Sequence, residues 1–179
     1  MDSLTEETIA TTEIYNGQLL NLKVTEVKLP NRQTASKEIV EHPGGVAVIP
    51  YQQGKVTLIK QFRKAVEETL YELPAGLLEA GEDPLGCAQR ELEEETGYRA
   101  ACLEKVAEFY TSPGFTNEVL HIYLATELTK YETQLDKDEF IELEKMSVEE
   151  IENKLVTGQF KDAKTIIGLQ HLMEAERRG

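Results

Sequence analysis

A mixed α/β fold with a small antiparallel β-sheet ahead of it is what the sequence predicts. Residues 9–42 alternate in β-rich runs broken by turn residues, a helix over 84–96 is bounded by strong start and stop signals, and strands and helices then follow in mixed order. That order favours α+β or α/β/α layering over a regular βαβ repeat.

The elements can be justified in turn. Asn16-Gly17 separates the first two strands, and Leu29-Pro30-Asn31-Arg32 breaks the second from TASKEIVEH. Pro43-Gly44-Gly45 opens GVAVIPY, which the turn Gln52-Gln53-Gly54-Lys55 joins to VTLIKQFR as a second hairpin. The domain boundary is therefore set at 43/44, with residues 1–43 as an N-terminal β-sheet segment and 44–179 as the main domain. Asp83 is the expected N-cap of the helix, Pro84 takes the favoured first position and Gly97 stops it, with Leu85, Ala88 and Leu92 as its apolar stripe. Strands follow around 103–110, 119–128 and 140–146. Ser147-x-x-Glu150 is a capping box for a helix that ends at Gly158, and Asp162 starts another carrying Ile166, Leu169, Leu172 and Met173.

Composition narrows the function. The chain has 179 residues, enough for one compact domain or one with a small attachment. A formal charge of −14 repels phosphate backbones and no basic stripe overturns it, so polymeric nucleic acid is a poor partner. A small anionic substrate stays open if divalent cations stand between its phosphates and the protein carboxylates. Cys87 and Cys102 have no metal-ligand spacing and His42, His121 and His171 are scattered, which argues against zinc and a structural disulfide. No leader pattern and no membrane-length apolar run is present, so a cytoplasmic protein is expected.

Chemistry concentrates in GLLEAGEDPLGCAQRELEEETGY, residues 76–98. Glu91 and Glu95 are i,i+4 and Glu94 is i+3 from Glu91, so three carboxylates crowd one side of the helix, opposite or flanking its apolar stripe. They lie near a helix C-terminus whose partial charge is already negative. A solvated acidic face is one reading of such a run. The other is a site for magnesium, which takes hard oxygen ligands and shares its shell with water and phosphate. Arg90 can neutralise part of the charge, with Glu82 as its natural partner.

The segment resembles the Nudix box, G-x5-E-x7-R-E-U-x-E-E-x-G-U with U aliphatic. Gly76, Glu82, Arg90, Glu91, Glu94, Glu95 and Gly97 occupy its seven fixed positions. Chance usage gives such a match on the order of once in 10^5 chains. Tyr98 departs from the last aliphatic position.

The resemblance implies an α/β/α sandwich around a mixed sheet, and magnesium, replaceable by manganese, on Glu91 and Glu95 with Glu94 in support. Around the box the chain is similar to the bacterial ADP-ribose pyrophosphatase branch, which implies the Ala75 carbonyl as a further ligand. Pro113 sits where that branch carries a proline, and Arg63 matches a substrate-contacting arginine; an ordinary Pro-Gly turn and a strand-end arginine are the plainer readings. Lys37-Glu38 aligns with an Arg-Glu pair that reaches substrate across a dimer, with lysine replacing arginine. A glutamate before the last strand serves as base in these relatives, and in DKDEFIEL Glu139 is the best match, with Asp138 and Glu142 as alternatives.

The implied protein is a homodimeric, magnesium-dependent pyrophosphohydrolase that cleaves ADP-ribose to AMP and ribose 5-phosphate, with other nucleoside diphosphate sugars as further substrates. A Nudix hydrolase of nucleoside triphosphates and a non-catalytic nucleotide-sugar-sensing module are the alternatives. The intact carboxylates argue against the latter, since a binder has no need of self-repelling glutamates.

Overall fold

A computed structural model of the chain describes residues 4–132 and 140–178. Two compact units emerge, one holding the chain up to Gly44 together with Tyr110–Val119, the other holding Gly45–Phe109 and Leu120–Gly179.

The first unit is built on a three-stranded antiparallel sheet, ordered β1 (Glu7–Asn16), β2 (Asn21–Lys28), β3 (Thr34–Glu41). All ten residues of β1 are exposed, including Ile9, Ile14 and Tyr15. Among the strand residues only Thr25 and Val27 are buried, so this sheet lacks a core of its own. The segment 110–119 joins it through the bonds Val40 N–H to Phe115 O (2.7 Å) and His42 N–H to Asn117 Oδ1 (2.8 Å).

The second unit is a seven-stranded mixed sheet between helices. Its main path runs β10 (Ile141–Ser147), β5 (Lys55–Arg63), β4 (Gly45–Gln52), β9 (Val119–Lys130), β8 (Tyr98–Tyr110). Two short strands branch from it: β6 (Glu68–Glu72) pairs with β5, and β7 (Ala75–Leu77) pairs with β4. β4 runs parallel to β9 and antiparallel to β5 and β7.

β4 explains the layering. Gly45–Pro50 is buried throughout, as a strand covered on both faces must be. Val46 and Val48 pack with Cys87, Ala88 and Leu92 of α1 (Pro84–Thr96), while Ala47 and Ile49 pack with Leu169, Leu172 and Met173 of α3 (Ala163–Arg178). Ile151 of α2 (Val148–Val156) joins the latter cluster, completing an α/β/α sandwich. Alternation along one strand thus feeds two cores.

Local signals set the helix ends. Asp83 accepts from the Leu85 and Gly86 amides, and Gly97 adopts the left-handed conformation at φ 66°, which glycine enters without Cβ strain. Ser147 and Glu150 form the reciprocal capping box of α2, and the Asp162 carboxylate accepts from Thr165 N–H at 3.0 Å at the start of α3. The expected apolar stripe of α1 needs one correction: Leu85 is 45% exposed, and Cys87 takes the buried place beside Ala88 and Leu92. Among the described residues no helix is long and apolar enough to cross a membrane.

Candidate active site

α1 buries Cys87, Ala88, Glu91, Leu92, Glu95 and Thr96, a continuous stripe at helical spacing. Glu91 and Glu95 therefore flank the apolar residues on the inner face, with relative exposures of 8% and 3%. Burying two ionised carboxylates this deeply is costly unless something compensates.

β7 supplies part of the compensation. The Glu95 carboxylate accepts from the Ala75 N–H at 2.8 Å, and the Glu91 carboxylate lies directly on Gly76, in space that a Cβ at residue 76 would fill. Gly45 allows this seam to form, because a Cβ there would meet the Gly76 carbonyl at 2.7 Å. Ala75, Gly76, Glu91 and Glu95 are thereby gathered along one seam between β7 and α1.

Arg90 supplies a further part. Its guanidinium donates to Glu82 twice (2.9 and 3.0 Å), to Glu91 at 2.6 Å and to Glu94 at 3.0 Å, and reaches the Leu77 carbonyl at 3.2 Å. The hydrogen bonds from Arg90 hold the Glu82 carboxyl down at about 2, and those from Glu82 raise the arginine above its ordinary value. Burial pushes the neighbouring Cys87 thiol up to about 12, so it is inert beside this network. Glu93 turns aside to Arg99 at 2.6 Å and leaves the cluster. Among the described residues no three of His, Cys, Asp or Glu stand together as a metal-holding group, consistent with Arg90 and the Ala75 amide occupying the glutamates.

Arg63, at the end of β5, binds Glu72 through Nε (2.7 Å) and Nη2 (2.8 Å). Glu72 is 1% exposed and also accepts from Lys164. Burial drives its carboxyl upward, and the Arg63 and Lys164 contacts more than reverse this, leaving it below the usual range. Glu72 and Lys164 were not singled out from the sequence, although a lone acid between Leu70 and Leu73 in an apolar run is a readable signal.

Lys37, Glu38 and Pro113 belong to the other unit. Lys37 pairs with Glu6 at 3.1 Å, Glu38 is exposed, and Pro113 sits in a turn closed by Phe115 N–H to Ser112 O at 3.1 Å. Glu139 and Asp138 lie outside the described residues, while Glu142 on β10 is exposed and 3.5 Å from Lys60.

Comparison with known proteins identifies the family. The NUDIX domain matches residues 41–167. This chain belongs to the Nudix family. Within it, the chain falls in the ADP-ribose pyrophosphatase branch, a group of pyrophosphatase hydrolases: the ADP-ribose pyrophosphatase of Bacillus subtilis (strain 168) is 46% identical over 179 residues, covering 98% of this chain and 97% of the relative. The methanol dehydrogenase activator of Bacillus methanolicus is 44% identical over 174 residues, covering 96% and 94%. A crystal structure of an ADP compounds hydrolase superposes with a TM-score of 0.88 at 19% identity, covering 99% of this chain and 98% of that one, a likeness of fold. This Nudix chain thus carries its box in a Nudix scaffold.

Proposed function

We propose that this Nudix chain hydrolyses ADP-ribose to AMP and ribose 5-phosphate with a divalent ion, and that it works as a homodimer in the cytoplasm. The observation that carries the reading is the pair Glu91 and Glu95, two carboxylates gathered on the buried face of α1 against Ala75-Gly76. Similarity to the Bacillus subtilis ADP-ribose pyrophosphatase along nearly the whole chain supports the substrate.

The donor set fits magnesium: two buried carboxylates beside a backbone peptide, all hard oxygen donors, in a cluster whose negative charge Arg90 only partly offsets. Glu91, Glu95 and the Ala75 carbonyl would hold it, with manganese as substitute. Bound there, the ion would neutralise non-bridging phosphate oxygens and make a water more acidic. Arg90 holds Glu91 and Glu94 in fixed positions and must share Glu91 with the ion. Arg63 offers a guanidinium to the diphosphate, and Glu139 is proposed to take the proton of the attacking water. Lys37, Glu38 and Pro113 are proposed to contact the nucleotide sugar. In the reaction one oxygen–phosphorus bond forms from water and the bridging bond of the diphosphate breaks.

The test is a panel of ADP-ribose, GDP-mannose, ATP and dGTP with magnesium, products identified by chromatography. ADP-ribose should lead, with AMP and ribose 5-phosphate as products. Preference for ATP or dGTP would move the chain to the triphosphate class, and no turnover of any would make it a binding module.

A further inference from the structure

The start of α3 is fastened to the end of β6 by a cluster of polar bonds. Lys164 donates to Glu72 and pairs with Asp162 at 3.0 Å; Thr165 Oγ1 accepts from the Leu73 N–H at 2.8 Å and donates to Asp162 at 2.6 Å. These bonds grip Glu72 and Leu73, two residues before the Ala75 whose amide is held by Glu95. Glu72 in turn grips Arg63 with both oxygens.

Two features separate this arrangement from a simple structural ion pair. The carboxylate and Lys164 are sealed, at 1% and 12% side-chain exposure, yet Arg63 is 42% exposed. An arginine kept for the core would be sealed with its partner; this one is locked along its Nε–Nη2 edge, and Nη1 takes no part in that lock. Secondly, Glu72 ends the short strand that leads within three residues to Ala75, whose N–H the Glu95 carboxylate accepts, so the lock on Arg63 and the carboxylate seam share one stretch of backbone. A buried ion pair gains little stability over apolar packing, so its use here lies in fixing a direction.

Resting on the ADP-ribose reading above, we propose that Glu72, backed by Lys164 on α3, is a positioning residue that holds Arg63 with Nη1 presented to the diphosphate of the substrate. Glu72 itself does not touch the reacting atoms. Its effect passes through Arg63, and removing the lock costs the entropy of ordering a free guanidinium at each binding event.

A double-mutant cycle on the full chain tests this, with KM and kcat measured separately for wild type, Arg63→Ala, Glu72→Gln and the double variant. Glu72→Gln should raise KM about tenfold with kcat within about twofold, and should add nothing to Arg63→Ala. If Glu72→Gln does not fold, Glu72→Asp keeps the charge, breaks the two-point grip and enters the same cycle; Lys164→Met should show the same KM effect more weakly. Full additivity of Glu72 and Arg63 variants, or a fall in kcat with KM unchanged, would overturn the positioning role. Should wild type prefer another nucleotide, the substrate reading fails alone, and the cycle run on that nucleotide decides the role of Glu72. Absence of turnover on the whole panel overturns both.

Discussion

The carboxylate of Glu91 occupies the space in which residue 76 would carry its Cβ, so Gly76 and Glu91 are a single steric unit built from β7 and α1. Adding a methyl group at position 76 must therefore move a proposed metal ligand. Gly76→Ala should lower kcat/KM by about 100-fold, the cost of roughly an ångström of misplacement at a reacting centre. Steady-state kinetics beside a melting curve checks this. A folded variant with wild-type kcat/KM would show that the position of Glu91 is immaterial.

Metal dependence has a thermal readout that needs no substrate. Magnesium should raise the Tm of the wild type, by linkage of binding to the native state, and excess chelator should abolish turnover. Glu95→Gln keeps shape but removes a charged donor, so turnover should drop by a factor of about 10^3 and the magnesium shift should shrink. Full turnover of this variant, or of wild type in chelator, rules out the metal reading.

Arg90 makes one part of the acid stability predictable in sign. Glu82 keeps its charge down to about 2 in the native state, against an ordinary value of 4.5. A carboxyl lowered on folding stabilises the native state above its unfolded value, and that contribution is lost as pH falls through the native value. In Arg90→Met this contribution shrinks to what the Glu79 N–H and Cys87 still give. The stability gap between wild type and variant in urea titrations should be constant above pH 4.5 and narrow from there towards pH 2. A gap that widens with acid contradicts the assignment.

The N-terminal sheet should be an interface. β1 exposes all ten of its residues and the sheet buries few side chains, an arrangement that needs another surface to cover it. Light scattering is expected to give twice the chain mass of 20.2 kDa at micromolar concentration, and deletion of residues 1–42 to lose both the dimer and substrate affinity. A 20.2 kDa particle from the full chain refutes it.

What could be read in the sequence was what short-range chemistry decides. Asp83, Pro84 and Gly97 announce α1 because caps and stops act within a turn, and Ser147 and Glu150 announce α2 in the same way. Box spacing likewise singled out Glu91 and Glu95, since helical geometry puts them on one face. Leu85 was misplaced because the spacing of Leu85, Ala88 and Leu92 fits one helix face, whereas contact with β4 selects Cys87 beside Ala88 and Leu92. β6 and β7, five and three residues long, are too short to show a period, so only the family resemblance, through Gly76 and the implied Ala75 ligand, pointed to the seam with α1. The Arg63–Glu72–Lys164 network joins three elements across up to 92 residues, and no local pattern encodes that.

The parallel pairing of β4 with β9 also imposes an order on synthesis. Gly45 is opposite Leu120, so the apolar run VAVIP leaves the ribosome about 75 residues before its parallel neighbour exists. In that interval the hairpin to β5, the short β7 and α1 can shield part of it, while α3, which covers Ala47 and Ile49, is made after β9. Nascent chains arrested before residue 119 should be cut readily by protease within β4 and recruit chaperones, and chains extended past β9 should resist. The strand that gives the finished sandwich both of its cores is thus the exposed one while the chain is being made.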